Sequence, residues 1–262
     1  MTKRIITLTT DFGLKDPYVA EMKAAIVGIC QDAVIVDVTH EVEKFNIRMG
    51  AYMLACAVPY FPKGTIHVAV VDPEVGTPRR SLIILTSRGI FVGPDNGVLI
   101  LAALKQGITG AREITNPKLI LPIVSDTFHG RDIFAPAAAN LANGVPPASF
   151  GPEIGQAIRP DFAKITFDKG ALTGEVLHVD GFGNIITNVD EKRLKRLHAK
   201  DLINVSLRGC KTKVKLSKTY AEAKPNEPLI LLGSQGYVEI AINQGSAAKR
   251  FKAKSGDKII LS

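Results

Sequence analysis

The sequence predicts an α/β protein, with an N-terminal, mostly parallel α/β sheet domain followed by a smaller C-terminal antiparallel β-barrel-like domain. Three observations carry this expectation. Apolar runs alternate with helix-spaced apolar residues in the first part of the chain. From about Gly170, short alternating runs separated by Gly and Asn take over. Between them, Pro146, Pro147, Pro152 and Pro160 punctuate a stretch that reads as a linker. The expected domains are 1–160 and 170–262.

Taken in order, Ile5–Thr9 reads as a buried strand ending at Asp11-Phe12-Gly13. Val19, Met22, Ile26 and Ile29 then share one face of a helix. Ala33–Val38 is a second strand. Ile47, Ala51, Leu54 and Val58 mark a second helix, stopped before Pro59 and Pro62. Ile66–Val71 is apolar except for His67, which suits a strand covered on both faces. Strand and helix alternating in this way imply a parallel sheet with right-handed crossovers. Ser81–Thr86 and Ile90–Val92 flank a turn at Ser87-Arg88-Gly89, and a further helix covers about Ile133–Asn143, with Pro136 in its first turn. The second part offers strands at Gly174–Val179, Asn184–Val189, Ile203–Leu207, Lys211–Leu216, Pro228–Leu232, Tyr237–Ile242 and Lys258–Leu261.

Composition narrows the function classes. Hydrophobic residues make up 46% and charged residues 22% of 262, enough for a sizeable core built mainly from Val, Ile, Leu and Ala, since Trp is absent. The opening MTKRIITLTTDFG breaks off before an apolar signal region could form, and no run approaches the ~18 apolar residues of a membrane span. Cys30, Cys56 and Cys210 share no metal-like spacing and read as buried free thiols in a reducing cytoplasm. Much of the net charge of +8 lies in Lys192, Arg193, Lys195, Arg196, Lys200, Arg208, Lys211, Lys213 and Lys215. Without aromatic residues interleaved for base stacking, this stretch reads as a solvated face rather than a nucleic-acid surface.

In a parallel α/β sheet, ligands bind beyond the carboxyl ends of the strands. Three polar segments fall there: Asp11 after the first strand, Asp72–Arg79 after Ile66–Val71, and His129 in Asp126-Thr127-Phe128-His129-Gly130-Arg131-Asp132. Each has a bland alternative. Asp11 could cap the following helix, Asp72 and Arg79 could form a structural ion pair, and a lone histidine is usually not catalytic. Their convergence on one sheet edge is the argument for a site. Neither glycine segment is GxGxxG or GxxxxGK[ST], so phosphate cradling is not indicated.

Seven segments, in order over nearly the whole chain, carry a resemblance: ITLTTDFGLKDPYVAEMK, DVTHEVEKFNIRMGA, VAVVDPEVGTPRR, FVGPDNGVL, DTFHGRDIFAP, VDGFGNIITN and GSQGYVEIAINQGSA. Together they resemble the S-adenosyl-L-methionine hydroxide adenosyltransferases, relatives of the enzymes that make fluorinated or chlorinated adenosine. The resemblance implies an α/β domain followed by a β-barrel-like domain, and cleavage of S-adenosyl-L-methionine by water to adenosine and L-methionine. It implies water activation by Asp72, Arg79 and His129, with the neighbouring Arg80 an alternative for the arginine. By the same resemblance Asp11 binds the ribose hydroxyls and Phe45 packs near the ribose. The loops Val75–Thr77 and Thr127–Gly130, including Phe128, frame the reacting carbon. Asp180 holds the methionine ammonium, Asn184 the adenine and Ser234 the methionine carboxylate. No cofactor or metal is implied, S-adenosyl-L-methionine being the substrate, and the subunits are expected to form homotrimers with active sites at their interfaces. Glu74, where the pattern usually has glycine, and Gln235 depart from it.

This chemistry is coherent. A sulfonium carries its own neutral leaving group, so the protein must supply in-line positioning, a dry site and a nucleophile with hydroxide character. Arg79 can stabilise negative charge but is not a base. His129, near ~6.5 when unperturbed, is the expected proton acceptor, and Asp72 the orienting group. A carboxylate at the site would repel halide, which favours water over chloride or fluoride. Two other readings remain: a non-catalytic nucleoside- or RNA-binding protein using the basic barrel, and a nucleosidase releasing adenine.

Overall fold

The computed structural model describes residues 4–197 and 202–262; His198 and Lys200 of the basic stretch lie outside them. The chain divides into two compact units, one ending at Arg159 and the other beginning at Pro160.

In the first unit, β1 (Arg4–Thr10), α1 (Tyr18–Ile29), β2 (Ala33–Thr39), α2 (Ile47–Ala57) and β3 (Thr65–Val70) follow the alternation read from the sequence. After them come β4 (Ser81–Thr86), β5 (Gly89–Pro94), α3 (Ile100–Gln106), β6 (Ile108–Glu113) and α4 (Ala135–Ala142). The six strands form one sheet in the order β2-β1-β3-β5-β4-β6. β2, β1, β3 and β5 are mutually parallel, while β4 runs antiparallel to β5 and β6. Ile6, Leu8, Ile66, Val68 and Val70 pack with Met22 and Ile26 of α1 and the small residues Ala135, Ala137, Ala138 and Ala139 of α4. Alanines let α4 lie close on the strands. Side-chain alternation sends Thr7 and His67 to the other face, where their side chains meet at 2.8 Å.

α3 and β6 were not anticipated. Val98–Leu104 is apolar without helical period, because this short helix is buried on nearly all sides, and Gly107 at φ 74° ends it. The proline-punctuated stretch is not a free linker up to Arg159. Phe150 is fully buried in the first core, and Glu153 bridges to Arg112 of β6.

In the second unit, all seven anticipated strands are present: β8 (Ala171–Val179), β9 (Ile185–Asp190), β10 (Leu202–Leu207), β11 (Cys210–Leu216), β12 (Pro228–Leu232), β13 (Tyr237–Ile242) and β14 (Lys258–Leu261). They follow a short β7 (Thr166–Asp168) and are accompanied by the short helices α5 (Glu191–Leu194) and α6 (Ala247–Phe251). The order β14-β10-β11-β12-β13-β9-β8, with β8 pairing back to β14, closes a barrel and leaves β7 paired outside the ring on β8. Closure removes exposed strand edges. One pair departs from the antiparallel expectation: β11 and β12 are parallel, because residues 217–227 cross the barrel end instead of forming a hairpin. Val176, Ile185, Val205, Val214, Ile230, Val238 and Ile240 fill the interior. The expectation of three buried thiols holds for Cys30 only. Cys56 is half-buried, and Cys210, beside the tight Arg208-Gly209 turn, is exposed.

Candidate active site

At the carboxyl end of β3 the chain turns through residues 72–80, and the first and eighth residues of this loop meet again. Arg79 Nε lies 3.0 Å from both carboxylate oxygens of Asp72, and Nη2 donates to Oδ2 at 2.5 Å. The two side chains are only 4% and 5% exposed. Nη1 donates to Ser81 Oγ at 2.9 Å, and the guanidinium lies 5.3 Å from the centre of the Phe134 ring. The remaining direction of the fork points to His129, whose Nδ1 is 2.8 Å from Nη2. Arg80 faces elsewhere: its Nε and Nη2 donate to Asp95, whose other oxygen accepts from Ile158 N. The arginine joined to both Asp72 and His129 is therefore Arg79.

A guanidinium can only donate, so His129 Nδ1 must accept, and the neutral ring carries its proton on Nε2. Burial, followed by the nearby Arg79 charge, holds the His129 pKa below its ordinary value. Nε2–H has no protein partner among the described residues. This geometry changes the role expected from the sequence. The one lone pair that could take a proton is engaged by Arg79, and the free position is a donor.

Two backbones meet to set this geometry. Gly76 has φ 78°, and a Cβ there would stand 2.3 Å from the carbonyl oxygen of Asp126. Only glycine lets loop 72–80 close on loop 125–131. Within the first loop, Thr77 Oγ1 donates to the Glu74 carbonyl at 2.7 Å and Val75 N bonds Asp72 O at 3.3 Å. Glu74 itself points into solvent, and its carboxylate has no partner among the described residues. It does not intrude on the Asp72–Arg79 pair.

The second loop is braced by groups that sequence reasoning did not single out. Asp132, fully buried, accepts from Ser125 N and Oγ at 2.9 and 2.7 Å. Arg131 bonds Asp132 and Glu21 of α1, and covers the Phe128 ring at 5.0 Å. Phe128 in turn meets Phe12 and Tyr18 edge-on. Gly130–Phe134 forms a π-helical turn leading into α4, with Ala135 N bonding Gly130 O. Pro136 has no N–H to offer, and the Asp132 carbonyl instead accepts from Leu121 N at 2.9 Å. Thr127 is exposed and Gly130 buried on this loop. The only sequence signal for this bracing was the Arg131-Asp132 pair beside His129.

Asp11, at the end of β1, does not cap α1. That helix begins after Pro17 without a side-chain cap. Asp11 Oδ2 instead accepts from Phe45 N at 2.8 Å, while Lys44 Nζ contacts the Asp11 carbonyl. Phe45 is held at φ 64°, a conformation rare for a bulky residue, with its ring 69% exposed. Beneath them, buried His40 bonds Thr10 Oγ1 through Nδ1 at 2.8 Å, and its Nε2 lies 3.1 Å from Asp37. His40 thus braces the end of β1.

In the second unit, Asp180 to Asn184 is the tight connection of β8 and β9. Asp180 Oδ1 accepts from the backbone N–H of Phe182 and Asn184, and Oδ2 from Asn184 Nδ2 at 2.9 Å. The loop leaves Phe182 84% exposed. Ser234 is exposed in the turn Gly233-Ser234-Gln235-Gly236 between β12 and β13, closed by Gly233 N to Tyr237 O and Gly236 N to Gly233 O, both at 2.9 Å. Among the described residues there is no cluster of His, Cys, Asp and Glu fit to hold a metal ion, and no helix long and apolar enough to cross a membrane.

Comparison with known proteins places this arrangement in context. The chain matches the SAM hydroxide adenosyltransferase N-terminal domain over residues 6–151 and the C-terminal domain over residues 174–260. It is 39% identical over 257 residues to an (R)-S-adenosyl-L-methionine hydrolase of Salinispora arenicola, covering 97% of this chain and 96% of that one. It is also 39% identical to the protein of that name in Thermus thermophilus, over 98% of this chain and 99% of the other. A fluorinase of Actinopolyspora mzabensis is more distant, at 28% over 97% and 96% of the two chains. A crystal structure of a conserved protein from Thermotoga maritima superposes with a TM-score of 0.87 at 38% identity, covering 98% of this chain and 99% of that one.

Proposed function

The chain belongs to the S-adenosyl-L-methionine hydroxide adenosyltransferase family, and we propose that Asp72, Arg79 and His129 carry its hydrolysis of S-adenosyl-L-methionine to adenosine and L-methionine. The observation that supports this assignment is the single guanidinium joined at once to Asp72 and to His129 Nδ1. Asp72 fixes the fork, the fork fixes the imidazole, and the imidazole presents Nε2–H. A cation and an aimed N–H donor together favour hydroxide over neutral water at that position. The water proton leaves to solvent. The hydroxide oxygen bonds C5′, and the C5′–S electron pair passes to sulfur, releasing neutral methionine. One proton is released per turnover.

The rest of the site follows the same reading. Asp11 keeps Oδ1 for the ribose hydroxyls while Oδ2 holds Phe45 against the sugar. Val75, Thr77, Thr127, Phe128 and Gly130 shape the space around C5′. Asp180 binds the ammonium, Asn184 the adenine and Ser234 the carboxylate. The relatives are named for the epimer that is (R) at sulfur, and we extend that preference to this chain. No cofactor takes part in this scheme.

We further infer a cytoplasmic homotrimer in which the first unit of one subunit and the second unit of its neighbour complete each site. Phe45 and Phe182, each exposed beside proposed substrate groups, support it as apolar surfaces that gain from being covered. Mixing Asp72→Asn, impaired in kcat, with Asp180→Asn, impaired in KM, after partial dissociation should give more activity at low substrate than the two proteins assayed apart if sites are shared. Activity no greater than the sum of the two contradicts sharing.

Chromatography after incubation with each sulfonium epimer of S-adenosyl-L-methionine, with and without chloride, tests the activity. Equal amounts of adenosine and methionine are expected. Halogenated adenosine, free adenine, or no turnover would each replace this reading with a different one.

A further inference from the structure

Next to the turn carrying Ser234, a carboxylic acid lies inside the barrel wall without any role in the scheme above. Glu239 of β13 is 7% exposed, and its Oε1 accepts from Tyr220 Oη at 2.7 Å. Its cross-strand neighbours, Leu231 and Ile186, are buried and apolar. The carboxylate lies against the Ser234 turn, since a Cβ on Gly233 would stand 2.8 Å from Oε2. Two titratable groups act on its carboxylate, Tyr220 from the connection crossing the barrel end and Asp180 from the end of β8, and Tyr237 lies two residues before it on the same strand. A strand interior rarely holds a carboxylate unless something compensates it. One neutral hydroxyl does little, and a second carboxylate nearby makes matters worse.

We propose that Glu239 is a positioning and selectivity residue of the amino-acid end of the substrate site, acting with Asp180 to favour a cationic α-amino group and supporting the turn that presents Ser234. The inference rests on the assignment of Asp180 and Ser234 to that end of the substrate. Burial and then Asp180 push the Glu239 pKa above its ordinary value, while the Tyr220 hydrogen bond partly opposes them. An arriving ammonium reverses the balance by offering positive charge to both carboxylates. Substrate docking then favours loss of the Glu239 proton, and affinity weakens as pH falls through its raised pKa. The arrangement also explains Gly233, where any side chain would displace the carboxylate.

The experiment measures KM and kcat against pH for wild type, Glu239→Gln and Tyr220→Phe. A second substrate is the analogue whose α-ammonium is replaced by hydroxyl. Glu239→Gln should raise KM for S-adenosyl-L-methionine roughly tenfold with kcat within about twofold, and should lose the acid-side rise in KM. Its discrimination against the hydroxyl analogue should shrink by a similar factor. Tyr220→Phe keeps the carboxylate but removes the donor, so its acid-side inflection should move to higher pH. A wild-type pH profile in Glu239→Gln overturns the proposal, as does an unmoved inflection in Tyr220→Phe should the first variant fail to fold. If wild type hydrolyses the substrate but Asp180→Asn leaves KM unchanged, the underlying site assignment fails instead.

Discussion

Replacing Arg79 with lysine keeps the positive charge and removes the fork. Arg79 reaches Asp72 through Nε and Nη2, Ser81 through Nη1 and His129 through Nη2, all within 3.0 Å. A single ammonium cannot span these directions. With the pair only 4% and 5% exposed, a lysine that satisfies Asp72 leaves His129 Nδ1 unbonded and its ring free to rotate. Removing one aimed donor from a site that stabilises an oxyanion costs about 2.7–4 kcal/mol, or roughly 10²–10³ in rate. The loss should fall on kcat, because the groups proposed to hold the substrate lie elsewhere. Melting temperature should fall too, since charge-assisted hydrogen bonds are worth about 1.5–3 kcal/mol each and only some can be remade. Initial rates of adenosine release and thermal melting read both effects. Arg80→Lys is the control: its side chain is 37% exposed and pairs with Asp95, so kcat should stay within about threefold. If Arg79→Lys retained near wild-type kcat, charge alone would suffice and the tautomer argument would be wrong.

Further outcomes follow from the same geometry. Gly76→Ala must push its Cβ away from a carbonyl 2.3 Å distant and adopt an unfavourable φ, so we expect about 1–3 kcal/mol of destabilisation and at least tenfold lower kcat by rate assay. Glu74→Gly, at an exposed side chain, should change kcat by less than about twofold, and a larger loss would show that Glu74 reaches the site in the working enzyme. His67 is 1% exposed between Phe61 and Phe91, and burial lowers its pKa to about 4. The unfolded chain gains that proton near ~6.5, so stability is fully present above that pH and falls as pH drops toward 4. The drop is roughly 2.5 units at ~1.36 kcal/mol each, or about 3 kcal/mol. Urea unfolding of wild type and His67→Leu should diverge over this window, and parallel curves would refute the assignment.

The architecture was legible wherever periodicity matched burial. β8, β10 and β14 alternate buried with more exposed positions, and Ile66–Val71 is apolar except for His67 because both faces of β3 are covered. Legibility failed where burial erased the pattern, as in α3, and where a backbone crossing set strand direction, as in the parallel β11–β12 pair. The proline-rich stretch misled because prolines mark turns without telling whether Phe150 between them is buried. At the site, Asp72, Arg79 and His129 were legible as polar residues beyond strand ends. Their connection was not, because choosing Arg79 over Arg80 depends on which way adjacent side chains leave the loop. The sequence could name His129 as a base, but not show that its accepting nitrogen is already occupied. Glu239 was hidden for a similar reason: in Tyr237–Ile242 it looks like an ordinary solvent-facing residue of an alternating strand, yet it is buried.

The central claim is that hydroxide, formed beside Arg79 and His129, attacks C5′ of the sulfonium substrate. A single-turnover reaction in water labelled with heavy oxygen, with chloride in excess, tests it directly by mass spectrometry of the nucleoside product. The account predicts adenosine carrying the label at its 5′ oxygen, with unlabelled methionine and no chlorinated nucleoside. Unlabelled adenosine, or 5′-chloro-5′-deoxyadenosine as the main product, would contradict it.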